Sequence, residues 1–346
     1  MATILALITV LALNAYVLLA GADFGGGAWD LLASGPRRER QRALVAHAIG
    51  PIWEANHVWL ILVVVLLFTC FPPVFARLTI VLHVPLSLML VGVVLRGSAF
   101  TLRSYGAVDD VEQRRWGTLF AIASTVTPVL LGICVGTVAA GRAGPVAASD
   151  WTTAYVRPWL SPFPVAIGIL TLIAFAYLAA TYLTVEAAAE KAEPGRAELA
   201  EDFRRRALWS GAAMLITALV ALLLAADAPL VHAALARRMS ALPFHAALLA
   251  SSALAGWALL GRRYRLARWA AGAQVSVVLW GWAWAQSPWL VPPDLTIANS
   301  AAPAVTHRLV LIGLAIGSAI LAPSLWYLFR LFKGQSVAPS HGAGGG

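Results

Sequence analysis

Residues 3–32 read TILALITVLALNAYVLLAGADFGGGAWDLL, thirty positions with no Lys or Arg and only two carboxylates, Asp23 and Asp30. About 20 apolar residues suffice for a helix to cross ~30 Å of hydrocarbon. Backbone in that medium must satisfy its own hydrogen bonds, so the segment reads as a helix rather than a strand. Residues 1–22 lack the positive flank of a cleavable signal, and the apolar run is longer than a signal core. The stretch is therefore expected to be a retained transmembrane helix.

The same pattern recurs along the chain. Apolar stretches fall at about 52–70, 78–99, 118–139, 162–185, 207–226, 243–260, 267–287 and 306–331. Hydrophobic residues make up 60% of the 346 and charged residues 12%, about half the share of a soluble domain. Pro51, Pro162 and Pro243 stand at span starts, where a missing N–H leaves no bond unmade. The expected fold is an all-α polytopic membrane protein of about nine transmembrane helices. It is read as a single transmembrane domain over 1–333, with a Pro/Ser/Gly-rich disordered cytoplasmic tail over 334–346. Residues 186–206, rich in both charge signs, read as a solvated helical extension.

Charge gives the orientation. With the N-terminus outside, the inner loops and C-terminal end hold 18 Lys and Arg and the outer loops 6, while Arg96 falls inside a span. That bias favours N-out and C-in, which requires an odd number of spans. The net charge of +9 thus reads as a topology signal beside anionic lipid rather than as a nucleic-acid surface. Cys70 and Cys134 stand alone in apolar segments and read as small hydrophobes, with no disulfide framework and no metal-ligand spacing.

Function is sought among the residues that are expensive to bury. A charge at the bilayer centre costs about 2.5–3.5 kcal/mol on insertion scales. Asp23, Asp30, Glu54, His57, His83 and Arg96 fall inside or at the edge of spans. Asp23 and Asp30 are seven apart, on one helix face. Gly25, Gly26 and Gly27 between them weaken the helix, which in a membrane calls for close approach of another helix. Glu54 and His57, at i and i+3, share a face of the second helix. With N-out, Asp23 and Glu54 lie at similar depth towards the cytoplasm, where a pair of carboxyls can relay protons. The bland alternative is an interfacial pair hydrogen-bonded to Asn56 or a nearby Trp. His57, His83 and His307 each offer an imidazole that a haem could use, although a lone His is a weak signal and a hydrogen-bonded or lipid-interface histidine is the favoured reading of each. A transporter broken around its glycine-rich first helix is a further alternative, which predicts a second broken helix in a related half.

At this point a family resemblance emerges. Gly21-Ala22-Asp23-Phe24-Gly25-Gly26-Gly27 resembles the first-helix glycine motif of subunit II of cytochrome bd-type quinol oxidases. Residues 49–60, IGPIWEANHVWL, resemble that family's second-helix signature and contain Pro51, Trp53, Glu54, Asn56 and Trp59. Phe71 to Ala76, Leu95 to Arg103 (with Arg96 and Arg103), Ala180 to Leu183 and Leu295 to Ser300 follow in order.

The resemblance implies two four-helix bundles plus a peripheral helix. It implies a non-haem subunit II that scaffolds a haem-bearing subunit I in the bacterial cytoplasmic (inner) membrane. The haem b and haem d groups of the complex belong to that partner, and no cofactor is expected on this chain beyond a bound quinone. A small third subunit is a further partner in such complexes. The activity implied is quinol oxidation coupled to reduction of O2 to water, with a cytoplasmic proton path through Asp23, Glu54 and His57. The sequence departs from the family where Ala20, Glu54, Ala55, His57 and Thr101 replace other, often acidic, residues, which marks a divergent branch.

Overall fold

The structure is a computed structural model that describes residues 1–49, 53–105, 110–144, 150–189 and 195–334. The tail over 335–346 and Pro51 lie outside the described residues, as do the side chains of Trp53 and Glu54. In chain order the helices are α1 (Ala2–Leu31), α2 (Arg38–Ile49), α3 (Trp53–Cys70), α4 (Pro72–Val81), α5 (His83–Tyr105), α6 (Asp110–Ala139), α7 (Trp151–Tyr155), α8 (Pro162–Ala189), α9 (Arg196–Leu224), α10 (Pro229–His232), α11 (Leu242–Leu260), α12 (Tyr264–Gln286) and α13 (Ala304–Gly334). A short antiparallel hairpin, β1 (Trp289–Val291) and β2 (Leu295–Thr296), precedes α13 and pairs Trp289 with Thr296.

Nine helices of eighteen residues or more stand among the described residues, one at each expected span. Seven helices are long and apolar enough to cross a membrane, or eight if α3 and α4 count as one bent span. The bend corrects one expectation. Residues 78–81, assigned from sequence to the third span, belong to α4, which turns 117° from the axis of α3. Phe71-Pro72-Pro73 causes the break. Two successive prolines cannot donate to the preceding turn, but they suit the first turn of a new helix. The long helix that follows begins at His83.

Helices α5 and α1 pack on α6, with α3 on α1, while α9 and α12 pack on α8, with α11 on α12. Helix α8 in turn lies against α1 and α6. Small residues permit that seam. A Cβ on Gly132 or Gly136 of α6 would lie 2.7 Å from Gly168 Cα or Pro164 Cα of α8. Helix α13 stands apart, with Val305, Leu309, Ile312, Ile316 and Ile320 all exposed, as suits a lipid-facing helix. Its start is tethered by His307, whose Nε2 donates to the Cys70 carbonyl at 3.2 Å.

Polar contacts fix the two ends. At one end Arg77 of α4 pairs with Asp294 in the hairpin at 3.1 Å, and Asn299 closes the hairpin by donating to the Asp294 carbonyl. At the other, Arg37 grips both oxygens of Asp202 at 2.7 and 2.8 Å, and Gln41 links Asp202 to Arg206. This clamp holds the amphipathic α2 against the charged first turns of α9.

Candidate functional site

The first turns of the glycine segment are enclosed by other helices. An added Cβ on Gly25 would lie 2.0 Å from the Phe175 carbonyl oxygen of α8, and one on Gly27 would lie 2.3 Å from Ser124 of α6. Only glycine admits both neighbours, so the run exists for close approach, as the sequence reading expects. Trp29 locks the contact by donating its Nε1–H to the Ala176 carbonyl at 2.7 Å.

Close approach encloses Asp23, which is buried on the inner face of α1. Asn56 of α3, also buried, donates its Nδ2–H to Asp23 Oδ2 at 2.5 Å. The neighbouring cation is Arg96 of α5, which is 1% exposed. Its guanidinium stacks over Phe24 at 4.7 Å and Phe120 at 5.3 Å, and its Nε donates to Ser124 Oγ at 3.2 Å. Arg96 interacts electrostatically with Asp23 and with the buried Tyr16, without a direct ion pair among the described residues. One carboxylate and one guanidinium therefore balance in a buried pocket, where an unbalanced charge would be costly.

His57, one turn beyond Glu54, lies with its ring centroid 6.0 Å from both Tyr16 and Phe24. It also lines a cavity of about 700 Å³ on the outer side of α5, with Gly97, Ser98 and Thr101. Trp59 packs on the cluster of Tyr16, Ala20, Phe24 and Phe175. The backbone of Glu54 sits in the first turn of α3, two positions before Asn56, and its side chain lies outside the described residues.

A second charged group closes the end of α1. Asp30, with a fully enclosed side chain, meets Arg103 of α5 at 3.1 Å and Arg42 of α2 at 3.7 Å. Arg103, named from sequence only within the Leu95 to Arg103 resemblance, thus ties to a buried carboxylate.

Some expectations change. His83 is exposed, not buried: its Nδ1 donates to the Ile80 carbonyl and its ring meets Tyr155 edge-on. Its place at the break between α4 and α5 explains this. Ala20, where an acid is common in the resembled family, is buried among aromatic rings. Thr101 turns its hydroxyl to its own helix at Gly97. Ser124, Phe120 and Tyr16 complete the site and went unremarked in the sequence, because Ser, Phe and Tyr are ordinary residues within spans. Among the described residues no three His, Cys, Asp or Glu side chains gather as a metal site.

A family model described as cytochrome bd terminal oxidase subunit II matches residues 1–332. Cytochrome bd ubiquinol oxidase subunit 2 of Bacillus subtilis (strain 168) is 28% identical over 162 residues, covering 46% of this chain and 46% of that one. Cytochrome bd-I ubiquinol oxidase subunit 2 of Escherichia coli (strain K12) is 26% identical over 162 residues, covering 44% and 41%. The matches therefore span less than half the length of these curated relatives. In fold, the chain is similar to one in the structure of bd oxidase from Geobacillus thermodenitrificans. The TM-score is 0.74, at 22% identity, over 97% of this chain and 99% of that one.

Proposed function

The chain belongs to the cytochrome bd terminal oxidase subunit II family, and we propose that it is the non-haem subunit of a bd-type oxidase that oxidises quinol and reduces O2 to water. The relatives from B. subtilis and E. coli are named as ubiquinol oxidase subunits, which supports the substrate class. On this reading the haem b and haem d groups sit on a partner subunit I in the bacterial inner membrane, and this chain scaffolds that partner. Nine spans with N-out and C-in remain the favoured topology, the charge bias counting α12 as a span although it is not among the helices apolar enough to cross by composition. A small third subunit belongs to the same proposal.

The observation that carries the mechanism is the buried cluster of Asp23, Asn56 and Arg96 behind an open outer face. Reduction of O2 consumes protons, and drawing them from the cytoplasm makes turnover electrogenic. Asp23 can accept a proton while Asn56 holds its carboxyl in place and Arg96 balances its charge. Glu54, one helical turn before His57, would pass protons along α3. His57 stands between this cluster and the α5 groove, so it would hand them towards the partner. Ser98 and Thr101 are exposed on that face, and polar side chains at this depth are better covered by protein than by lipid tails. The groove is also of a size for a quinone ring, which the proposal retains as a bound ligand.

The test is proton uptake by the purified complex during quinol-driven O2 reduction. Asp23→Asn and Glu54→Gln are expected to slow uptake on the order of 100-fold with assembly intact. Wild-type uptake in both assembled variants would refute the proton path.

A further inference from the structure

Asp23 and Asp30 are seven residues apart on α1, and Arg96 and Arg103 are seven apart on α5. Seven residues make two turns, about 10 Å of rise. Arg103 meets Asp30 directly, and the Arg96 guanidinium stacks 4.7 Å from the ring of Phe24, the residue after Asp23. Both pairs advance in the same chain direction, so the two helices run parallel and their charges form two rungs. Helix α1 packs on α3, α6 and α8, and α5 packs on α6, so side chains rather than close backbone packing bridge α1 and α5. Gly27 and Ser124 lie along this interval, and Ser124 holds Arg96.

Each rung leaves one buried polar atom without a hydrogen-bond partner among the described residues. These are Arg96 Nη2 above and Asp30 Oδ1 below. Such atoms are met by ordered water where protein supplies no partner. The lower rung contrasts with the Arg37–Asp202 clamp nearby, which uses both carboxylate oxygens. At Asp30 only Oδ2 is hydrogen-bonded, to Arg103, while Oδ1 has Arg42 Nε at 3.7 Å, beyond hydrogen-bond length.

We propose that the two rungs form one hydrated polar seam between α1 and α5, and that Asp30 is its proton-collecting carboxylate at the cytoplasmic mouth. The proposal rests on the proton-uptake reading above and adds a residue that the family motif does not single out. Asp30 Oδ1 takes a proton from water while Oδ2 stays paired with Arg103. The proton then leaves Oδ1 through ordered water to the Asp23 carboxylate, and Asp30 returns to its ionised form. Arg42, from the cytoplasmic helix α2, faces that oxygen at 3.7 Å and screens it between transfers.

The test uses the intact oxidase complex carrying Asp30→Asn, with proton uptake followed during O2 reduction in the absence and presence of formate. Uptake is expected to fall about 100-fold and to recover when formate, a small weak acid, carries protons past the missing carboxyl. A residue that merely braced two helices would show no such recovery. An assembled Asp30→Asn complex with wild-type uptake, or with a loss that formate does not restore, overturns the proposal. Asp23→Asn, run beside it, separates the two readings. If it is slow while Asp30→Asn is normal, only the mouth is misassigned. If both are normal, the proton path itself fails as well. Should Asp30→Asn not assemble, Asp30→Ser is read by the same uptake and formate criteria.

Discussion

Substituting Gly25 by alanine tests the account of why α1 carries a glycine run. The new Cβ would lie 2.0 Å from the Phe175 carbonyl oxygen, 2.4 Å from its carbon and 2.8 Å from the Ala176 nitrogen. All three are backbone atoms, so no rotamer change relieves the contact, and α1 and α8 must part by about 1 Å to restore van der Waals distance. Overpacking of this kind costs about 1–3 kcal/mol. The parting also stretches the bond from Trp29 to the Ala176 carbonyl, worth about 1 kcal/mol. Alanine returns about 1 kcal/mol of helix propensity. The net loss is about 2 kcal/mol, a fall of about 3 °C in the unfolding midpoint of the detergent-solubilised complex. Gly256→Ala is the control, because nothing lies within 4 Å of its Cβ position. That variant should match or slightly exceed wild-type stability. Equal midpoints for Gly25→Ala and Gly256→Ala would refute the close-approach reasoning.

Other substitutions report on other parts of the structure. Arg96→Met strips the counter-charge from buried Asp23 and should destabilise by about 3–5 kcal/mol, while the Asp23→Asn/Arg96→Met pair should recover much of that loss in the same thermal assay. His307→Phe removes the donor to the Cys70 carbonyl, at about 1 kcal/mol, and should speed proteolysis within α13 without altering the other helices. Asp202→Asn loosens a partly exposed clamp, so its cost should stay near or below about 1 kcal/mol and should shrink as added salt screens the wild-type pair.

The helical architecture was legible because hydrocarbon leaves a spanning chain few choices. Nine long helices stand among the described residues near the nine apolar runs, seven or eight spans of them by length and composition, with the third run divided between α4 and α5. The break at Phe71 was harder to place, since Pro72 and Pro73 suit a helix start as well as an interruption, and hydropathy runs on across them. The site was partly legible. Asp23 and Arg96 stand out because charge is scarce in spans, and the glycines at 25 and 27 announced a close neighbour. Which neighbour, however, depends on α6 and α8, a hundred or more residues away. Ser124 and Phe175 carry no mark of that role in the sequence. The partner of Asp30 was equally hidden: Arg103 looked like one more basic residue at a span end until α5 placed it against α1.

On the function proposed above, this chain supports haem chemistry held by another subunit. The direct measurement is haem content and quinol oxidase activity of the complex isolated through a tag on this chain, for the wild type and for His57→Ala. The account predicts that haem b and haem d co-purify with a second subunit, in equal amount for both forms. Haem that stays with this chain alone and is lost in His57→Ala would contradict it.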